Sequence, residues 1–376
     1  MTASAWHPLL DLPDPSAAWL DGLRQRLAAI LETTSEVLLV PAEAVTALEA
    51  VAASVATDRL SAVNVVTSPY GVQFGHWLRR GSAHVLDVTA RAGQPITVDA
   101  VASALDQVPS ASLVALAHGE AATGVVNPLL PIVRLAHERG AIVVVDAVAS
   151  VGAEPLRVGA DELDIVVIGP QKGLGGPAGV SAITISPAGW AAVAPPRPGS
   201  LGLSLRDLRE AAAGRVSVAL PAFSALDLYA LDAALQRATA EGIGALVGRH
   251  QQAARAARAG VQALGLDPWV SDPAAASGLV TSVTVPDGIR AGEVRQIALS
   301  RYGVPIRGGI GELEQSLVRV NHSGQSAAFS SVAASVAALG GAFAALGYPV
   351  EAGAGLAAVL ACYDQACYDP VSAAGR

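Results

Sequence analysis

The sequence predicts an α/β protein, with a large domain built on a mostly parallel sheet and a smaller C-terminal α+β domain. Three observations carry that expectation. Short, continuously apolar runs alternate with amphipathic helical patterns, as in a sheet covered on both faces by helices. The polar residues that interrupt those runs gather just after the strands, where such sheets place their ligands. The chain has 376 residues, beyond the roughly 250–300 at which a single core stops growing.

Residues 16–33 read as the first helix, capped by Asp14 or Ser16, with Leu20, Leu23, Leu27, Ile30 and Leu31 at helical spacing. A strand at 36–40 leads to a helix at 42–56. A strand at 62–67 ends in the turn Ser68-Pro69-Tyr70-Gly71, and a helix follows at 72–80. A strand at 84–89, a helix at 98–105 and a strand at 112–117 come next. The helix at 130–140 stops on Gly140, a residue suited to the position after a helix. Strands at 141–145, 165–168 and 182–185 complete the large sheet, and 216–221 crosses back. Helices at 225–246 and 248–264 lead into the smaller domain, which continues through 280–285, a helix near 291–301 and the segment 316–321. The division expected is an arm at 1–15, a large domain at 16–245, a small domain at 246–350 and a tail at 351–376. No flexible linker separates the domains, so they should share an interface, and no repeat of 20–50 residues is visible.

Composition narrows the function. Apolar residues make up 52% and charged residues 15%, enough to bury a large core. A net charge of −8 and 4% aromatics argue against a nucleic-acid partner. Two cysteines exclude a disulfide scaffold and a four-cysteine zinc site, and no metal is expected. The pair at Cys362 and Cys367 reads as a frayed terminus. The mean hydropathy of +0.45 makes a membrane span worth testing. The stretch 320–350 lacks acidic and basic residues, but it carries Asn321, His322, Gln325 and Gly340-Gly341 and no cationic flank, so an Ala-rich core helix is expected instead. The N-terminus has no basic, apolar leader, and a cytoplasmic protein is the default.

One residue stands apart. Of the 24 basic residues, Lys172 is the single lysine. Arginine cannot replace an amine that must lose its proton and attack a carbonyl. Lys172 follows the strand at 165–168, Asp146 follows the strand at 141–145, His118-Gly119-Glu120 follows the strand at 112–117, and Tyr70 follows the strand at 62–67. An amine, a carboxylate and an aromatic ring thus converge on one sheet edge. A lysine can form a Schiff base with an aldehyde cofactor, a carboxylate can keep a pyridine ring protonated, and an aromatic can stack on that ring. Val148, two residues past the carboxylate, would pack on the opposite face.

These residues lie in the segments HGEAATG, VVVDAVASVGAEPL and IGPQKGLGGPAG. In order and spacing they resemble the class V aminotransferase family, in its alanine–glyoxylate/serine–pyruvate branch. The resemblance is strong over 113–186 and weaker over 16–346. It implies fold type I of the pyridoxal 5′-phosphate enzymes, with that cofactor and a homodimer whose active sites lie at the subunit interface. It implies that Lys172 forms the Schiff base, Asp146 partners the pyridine nitrogen, Tyr70 and Val148 flank the ring, and Gln171, His118 and Thr123 bind the cofactor. The segment LVRVNHSG, preceded by Gly308-Gly309-Ile310-Gly311, resembles the one whose arginine grips a substrate carboxylate. Arg319 takes that role here, as the bidentate choice for a carboxylate.

The sequence departs from the family where the cofactor phosphate is held. A Ser/Gly/Thr-rich loop before the second helix is replaced by 41–46, where Thr46 is the one hydroxyl and Glu43 would repel a phosphate if it pointed inward. The segment 216–220, in the region where a partner subunit lends polar groups, is also changed, and Ala121 replaces a hydroxyl residue. Three readings follow: the phosphate is held by other donors, such as the backbone at Ala44 and its neighbours, Thr46 or an arginine; the phosphorylated cofactor binds weakly; or the chain is a non-catalytic relative. The first is preferred. The expected activity is an aminotransferase acting on a small amino acid. A lyase or a C–C or C–S bond-forming enzyme of specialised metabolism is the alternative. No Gly-x-Gly-x-x-Gly follows the first strand, which argues against a nicotinamide oxidoreductase.

Overall fold

The computed structural model describes residues 12–195, 204–215 and 222–367. Helix α1 (Ala17–Ile30) starts at the Ser16 cap, and β1 (Glu36–Val40), α2 (Ala44–Val55) and β2 (Ser61–Val66) follow. Next come α3 (Pro69–Arg80), β3 (His84–Thr89), α4 (Val98–Gln107), β4 (Leu113–Ala117), α5 (Leu129–Glu138) and β5 (Ile142–Asp146). Strands β6 (Ile165–Ile168) and β7 (Ser181–Ile185) precede α6 (Pro187–Ala192) and α7 (Leu205–Ala212). The remainder is α8 (Ala225–Glu241), α9 (Ile243–Ala263), β8 (Val280–Thr284), α10 (Ala291–Tyr302), β9 (Arg307–Gly308), β10 (Leu317–Asn321), α11 (Phe329–Ala345) and α12 (Ala352–Cys367).

The large sheet has seven strands in the order β1-β7-β6-β5-β4-β2-β3. The run from β6 to β3 is parallel, while β7 is antiparallel to both its neighbours. The mostly parallel sheet read from the sequence is therefore present. Its strands are apolar on both faces because both faces are covered. One core joins Leu23, Leu27, Ile132, Val145 and Leu235, and the other joins Leu38, Val51, Leu78, Ile165 and Ile183. Strand β5 lies at the centre, so its carboxyl end opens at the middle of the sheet edge. A second, antiparallel sheet, β8-β10-β9, packs with α9 to α12 around Val283, Val318, Val336 and Phe343. Among the described residues, no helix is long and apolar enough to cross a membrane.

Three local expectations change. Helix α3 begins at Pro69, because Ser68 accepts from the Tyr70 amide and Pro69 sits in the first turn, so Tyr70 is helical rather than in a turn. The break between α8 and α9 falls at Gly242, whose φ of 82° ends the first helix, four residues before the expected boundary. The expected tail carries α12, which packs on α9. A Cβ on Gly260 would lie 2.9 Å from Val359 and from Val336, so the glycine permits the close approach of α9 to these side chains. The Cys362 end of α12 is thus helical. The crossing segment at 216–221 and the arm before residue 12 lie outside the described residues.

Candidate active site

The carboxyl ends of β2, β4, β5 and β6 meet around a cavity of about 420 Å³, its open mouth included. Lys172, Asp146, Tyr70, Val148, Glu43, Ala44 and Glu120 are among its lining residues. Parallel register sets Ala117 of β4 beside Asp146 of β5, and the His118 amide donates to the Asp146 carbonyl at 2.9 Å. This fixes the strand end from which Asp146 projects. One carboxylate oxygen of Asp146 accepts from the Val148 amide at 2.9 Å, which ties the two ring-flanking positions together. The Lys172 Nζ lies 5.9 Å from the centroid of the Tyr70 ring, at the outer limit of a cation–π contact.

Burial dominates the electrostatics. It lowers the pKa of the Lys172 amine against the opposing pull of Asp146, Glu43 and Glu120, so the neutral, nucleophilic form is easier to reach than in an exposed lysine. It raises Asp146, with the Val148 amide and Lys172 acting the other way. Glu120 is pushed up to about 7 by burial, against hydrogen bonds from Ser68 and Thr67. The Tyr70 hydroxyl is also raised by burial.

Arg319, on β10 of the small sheet, does not line this cavity, but its charge acts on Tyr70 and Lys172. Its Nε donates to the Gly308 carbonyl at 2.6 Å, and its Nη1 donates to the Ala121 carbonyl. Two backbone acceptors therefore aim the guanidinium from the small sheet at the turn after β4.

The other end of the cavity is organised differently. Glu43 is the N-cap of α2, and one of its oxygens accepts from the Val45 amide at 2.8 Å. The second oxygen accepts from the Gln171 side chain at 2.7 Å. The Thr46 amide donates to the Glu43 carbonyl at 2.9 Å. The helix N-terminus, where an anion is stabilised, therefore already holds the chain's own carboxylate. The turn around Ala44 therefore has fewer amides to offer a phosphate than the sequence suggests. The Val45 amide is taken by the Glu43 side chain, long enough to fold back on its own helix, and the Thr46 amide by the Glu43 backbone carbonyl.

Ala44 lines the cavity, but Thr46 does not. Nor do His118 and Thr123. The His118 ring is buried without a partner for Nδ1 and is lowered to about 4 by burial, and Asp161 opposes that shift. Its motif fixes a strand end but not the face on which the ring falls. The Thr123 hydroxyl is buried and unpartnered within the turn after β4. Gln171 reaches Glu43 with its amide nitrogen and leaves its buried oxygen unpartnered. Glu120 was not among the expected site residues. Its signal was available, as an acidic residue three positions past an all-apolar strand. The segment 216–220, expected near a partner subunit, lies outside the described residues, and among those residues no cluster of potential ligands could hold a metal.

Residues 15–336 match the aminotransferase class-V family. The chain is 34% identical to a pyridoxamine–pyruvate transaminase of Mesorhizobium japonicum, over 89% of this chain and 85% of that protein. It is 29% identical to an L-aspartate–glyoxylate aminotransferase of Paracoccus denitrificans, over 92% of this chain and 87% of that one. The crystal structure of a pyridoxamine–pyruvate aminotransferase from Mesorhizobium loti superposes with a TM-score of 0.89 at 33% identity, covering 94% of this chain and 91% of the other. A lone lysine facing a carboxylate at the ends of parallel strands, on this fold and with these relatives, places the chain in the aminotransferase class-V family, a family of pyridoxal 5′-phosphate-dependent transferases.

Proposed function

We propose that this aminotransferase moves an amino group between phosphate-free pyridoxamine and a small 2-oxo acid of the pyruvate class, with the vitamer ring as a substrate. The observation that carries this reading is the Glu43 carboxylate bonded to the Val45 amide and to Gln171 at the N-terminus of α2. The ring end of the cavity fits the family's pyridoxal ring, and the phosphate end does not fit a phosphate. Unit charges of like sign about 4 Å apart repel by roughly 4 kcal/mol at an effective dielectric of about 20, close to a thousandfold in affinity. The relative in Mesorhizobium japonicum is named for pyridoxamine and pyruvate, which supports the same donor and acceptor here.

The pyridoxal system, when bound, supplies the carbon that carries the amino group and the ring that absorbs its electrons. The chain supplies the rest. Asp146 holds a proton on the ring nitrogen, and a cationic ring would draw its raised pKa back down. Tyr70 and Val148 confine the ring. Lys172, biased by burial toward the neutral amine, takes the proton from the carbon that loses the amine and returns it to the carbon that gains it. Arg319 binds the 2-oxo acid carboxylate. The exchange balances: pyridoxamine and the 2-oxo acid give pyridoxal and the 2-amino acid, with no redox partner. The aminotransferase relatives favour this transfer over elimination or replacement.

The test is turnover of pyruvate with pyridoxamine and, separately, with pyridoxamine 5′-phosphate, following pyridoxal and alanine. The reading predicts a kcat/KM at least about a hundredfold higher for the phosphate-free donor. A preference for the phosphorylated donor would contradict it.

A further inference from the structure

Glu120 has a position that the transfer chemistry does not use. It is 1% exposed, yet it lines the cavity beside Lys172 and Asp146. Its hydrogen bonds run in one direction. The Asn127 amide nitrogen donates to the Thr67 hydroxyl at 2.9 Å, so the Thr67 proton points to Glu120 at 2.7 Å. Asn127 is itself fixed, donating to the Ala117 carbonyl at 2.8 Å and accepting from the Ile96 amide at 3.0 Å. The Ser68 hydroxyl, which accepts from the Tyr70 amide at 3.2 Å, acts on the Glu120 carboxyl and favours its ionised form. The Thr67 hydroxyl thus ties the β2–α3 connection to one buried carboxyl. The backbone of Glu120 closes the turn after β4, accepting from the Gly124 amide at 2.7 Å and donating to the Val125 carbonyl at 2.8 Å. The next carbonyl, that of Ala121, receives Arg319.

We propose that Glu120 is a positioning residue for Arg319: it clamps the turn after β4 to Thr67, and so holds the Ala121 carbonyl where it aims the guanidinium at the 2-oxo acid carboxylate. This rests on Arg319 binding that carboxylate, and not on which form of the vitamer is the donor. Without the carboxyl, the part-buried Thr67 hydroxyl loses its acceptor and the turn is free to shift. A displacement of about 1 Å in a positioning element can change catalysis by up to about a hundredfold.

The experiment uses whichever donor, pyridoxamine or its 5′-phosphate, the wild type turns over, so it stands even if the phosphate-free reading fails. In Glu120→Ala the KM for pyruvate should rise by about tenfold or more while the KM of the amine donor stays in place. Glu120→Gln keeps one carbonyl acceptor, as the protonated carboxyl does, and should recover part of the loss. The pH profile gives an independent readout. Glu120 is pushed up to about 7 by burial, so as pH falls through that value the carboxyl becomes neutral and keeps only the one carbonyl acceptor that Glu120→Gln has, and the wild-type KM for pyruvate should rise to the level of that variant and no further. Asp146, Lys172, Glu43, Tyr70 and Arg319 also face this space, and the limb belongs to Glu120 only if Glu120→Gln lacks it. A fall in thermal stability with both KM values unchanged, both KM values rising together, or a limb that persists in Glu120→Gln would overturn the proposal.

Discussion

At the ring end of the cavity, Lys172, Asp146, Tyr70 and Val148 come from the ends of three strands, β6, β5 and β2, and the register of the parallel sheet brings them together. At the opposite end, Glu43, Gln171 and the first turn of α2 bond to one another. The ring end leaves its amine and one side of its carboxyl turned to the cavity. The other end satisfies its own helix terminus with its own anion. On the proposed reading, a cofactor site keeps its reacting groups while its anchoring end is closed from within, by a single side chain at a helix cap.

The contrast can be broken first at the ring end, where the largest effect is expected. Lys172→Arg keeps a cation but removes the titratable amine, and kcat should fall by roughly 10²–10⁴-fold or more for every donor. Asp146→Asn should reduce kcat by about 10²–10³-fold, again for both donors, since the ring nitrogen is common to both. Either variant changing the preference between phosphorylated and phosphate-free donors would blur the two ends. The smallest effect is expected outside both. Glu154 accepts from the Gly278 amide at 2.6 Å and is pushed up to about 7 by burial. Its folded pKa is raised, so the folded protein binds more protons than the unfolded chain between about 4.5 and 7, and Glu154 lowers stability as pH rises through that window. His118 and His322, lowered to about 4 by burial, act in the opposite sense, so the informative quantity is a difference between variants. Glu154→Gln should gain melting temperature relative to wild type on going from pH 5 to pH 8, with donor preference unchanged. A constant difference across that range would remove Glu154 from the account.

Much of the ring end was legible in the sequence because strand ends are legible. Apolar runs located β4, β5 and β6, and the first polar residues after them had to face the sheet edge. The lone lysine drew attention by its chemistry. What was not legible depended on where a side chain turns. The His118 motif fixed its place in the chain, but the ring lies outside the cavity lining. Glu43 was read as a possible repulsive charge, whereas its bonds to Val45 and Gln171 depend on the cap geometry of α2. Helix α12 was missed because its Ala- and Gly-rich sequence has few large apolar residues, and the close approach it makes over Gly260 is a property of two helices together.

The central claim is that Glu43 occupies the place of a phosphate. Its most direct test is the ratio of kcat/KM for pyridoxamine to that for pyridoxamine 5′-phosphate, in wild type and in Glu43→Ser, where serine retains a good helix cap. The account predicts a wild-type ratio well above one that falls by about a thousandfold in the variant, as the repelling charge is lost. An unchanged ratio, or a wild type that already favours the phosphorylated donor, would contradict it.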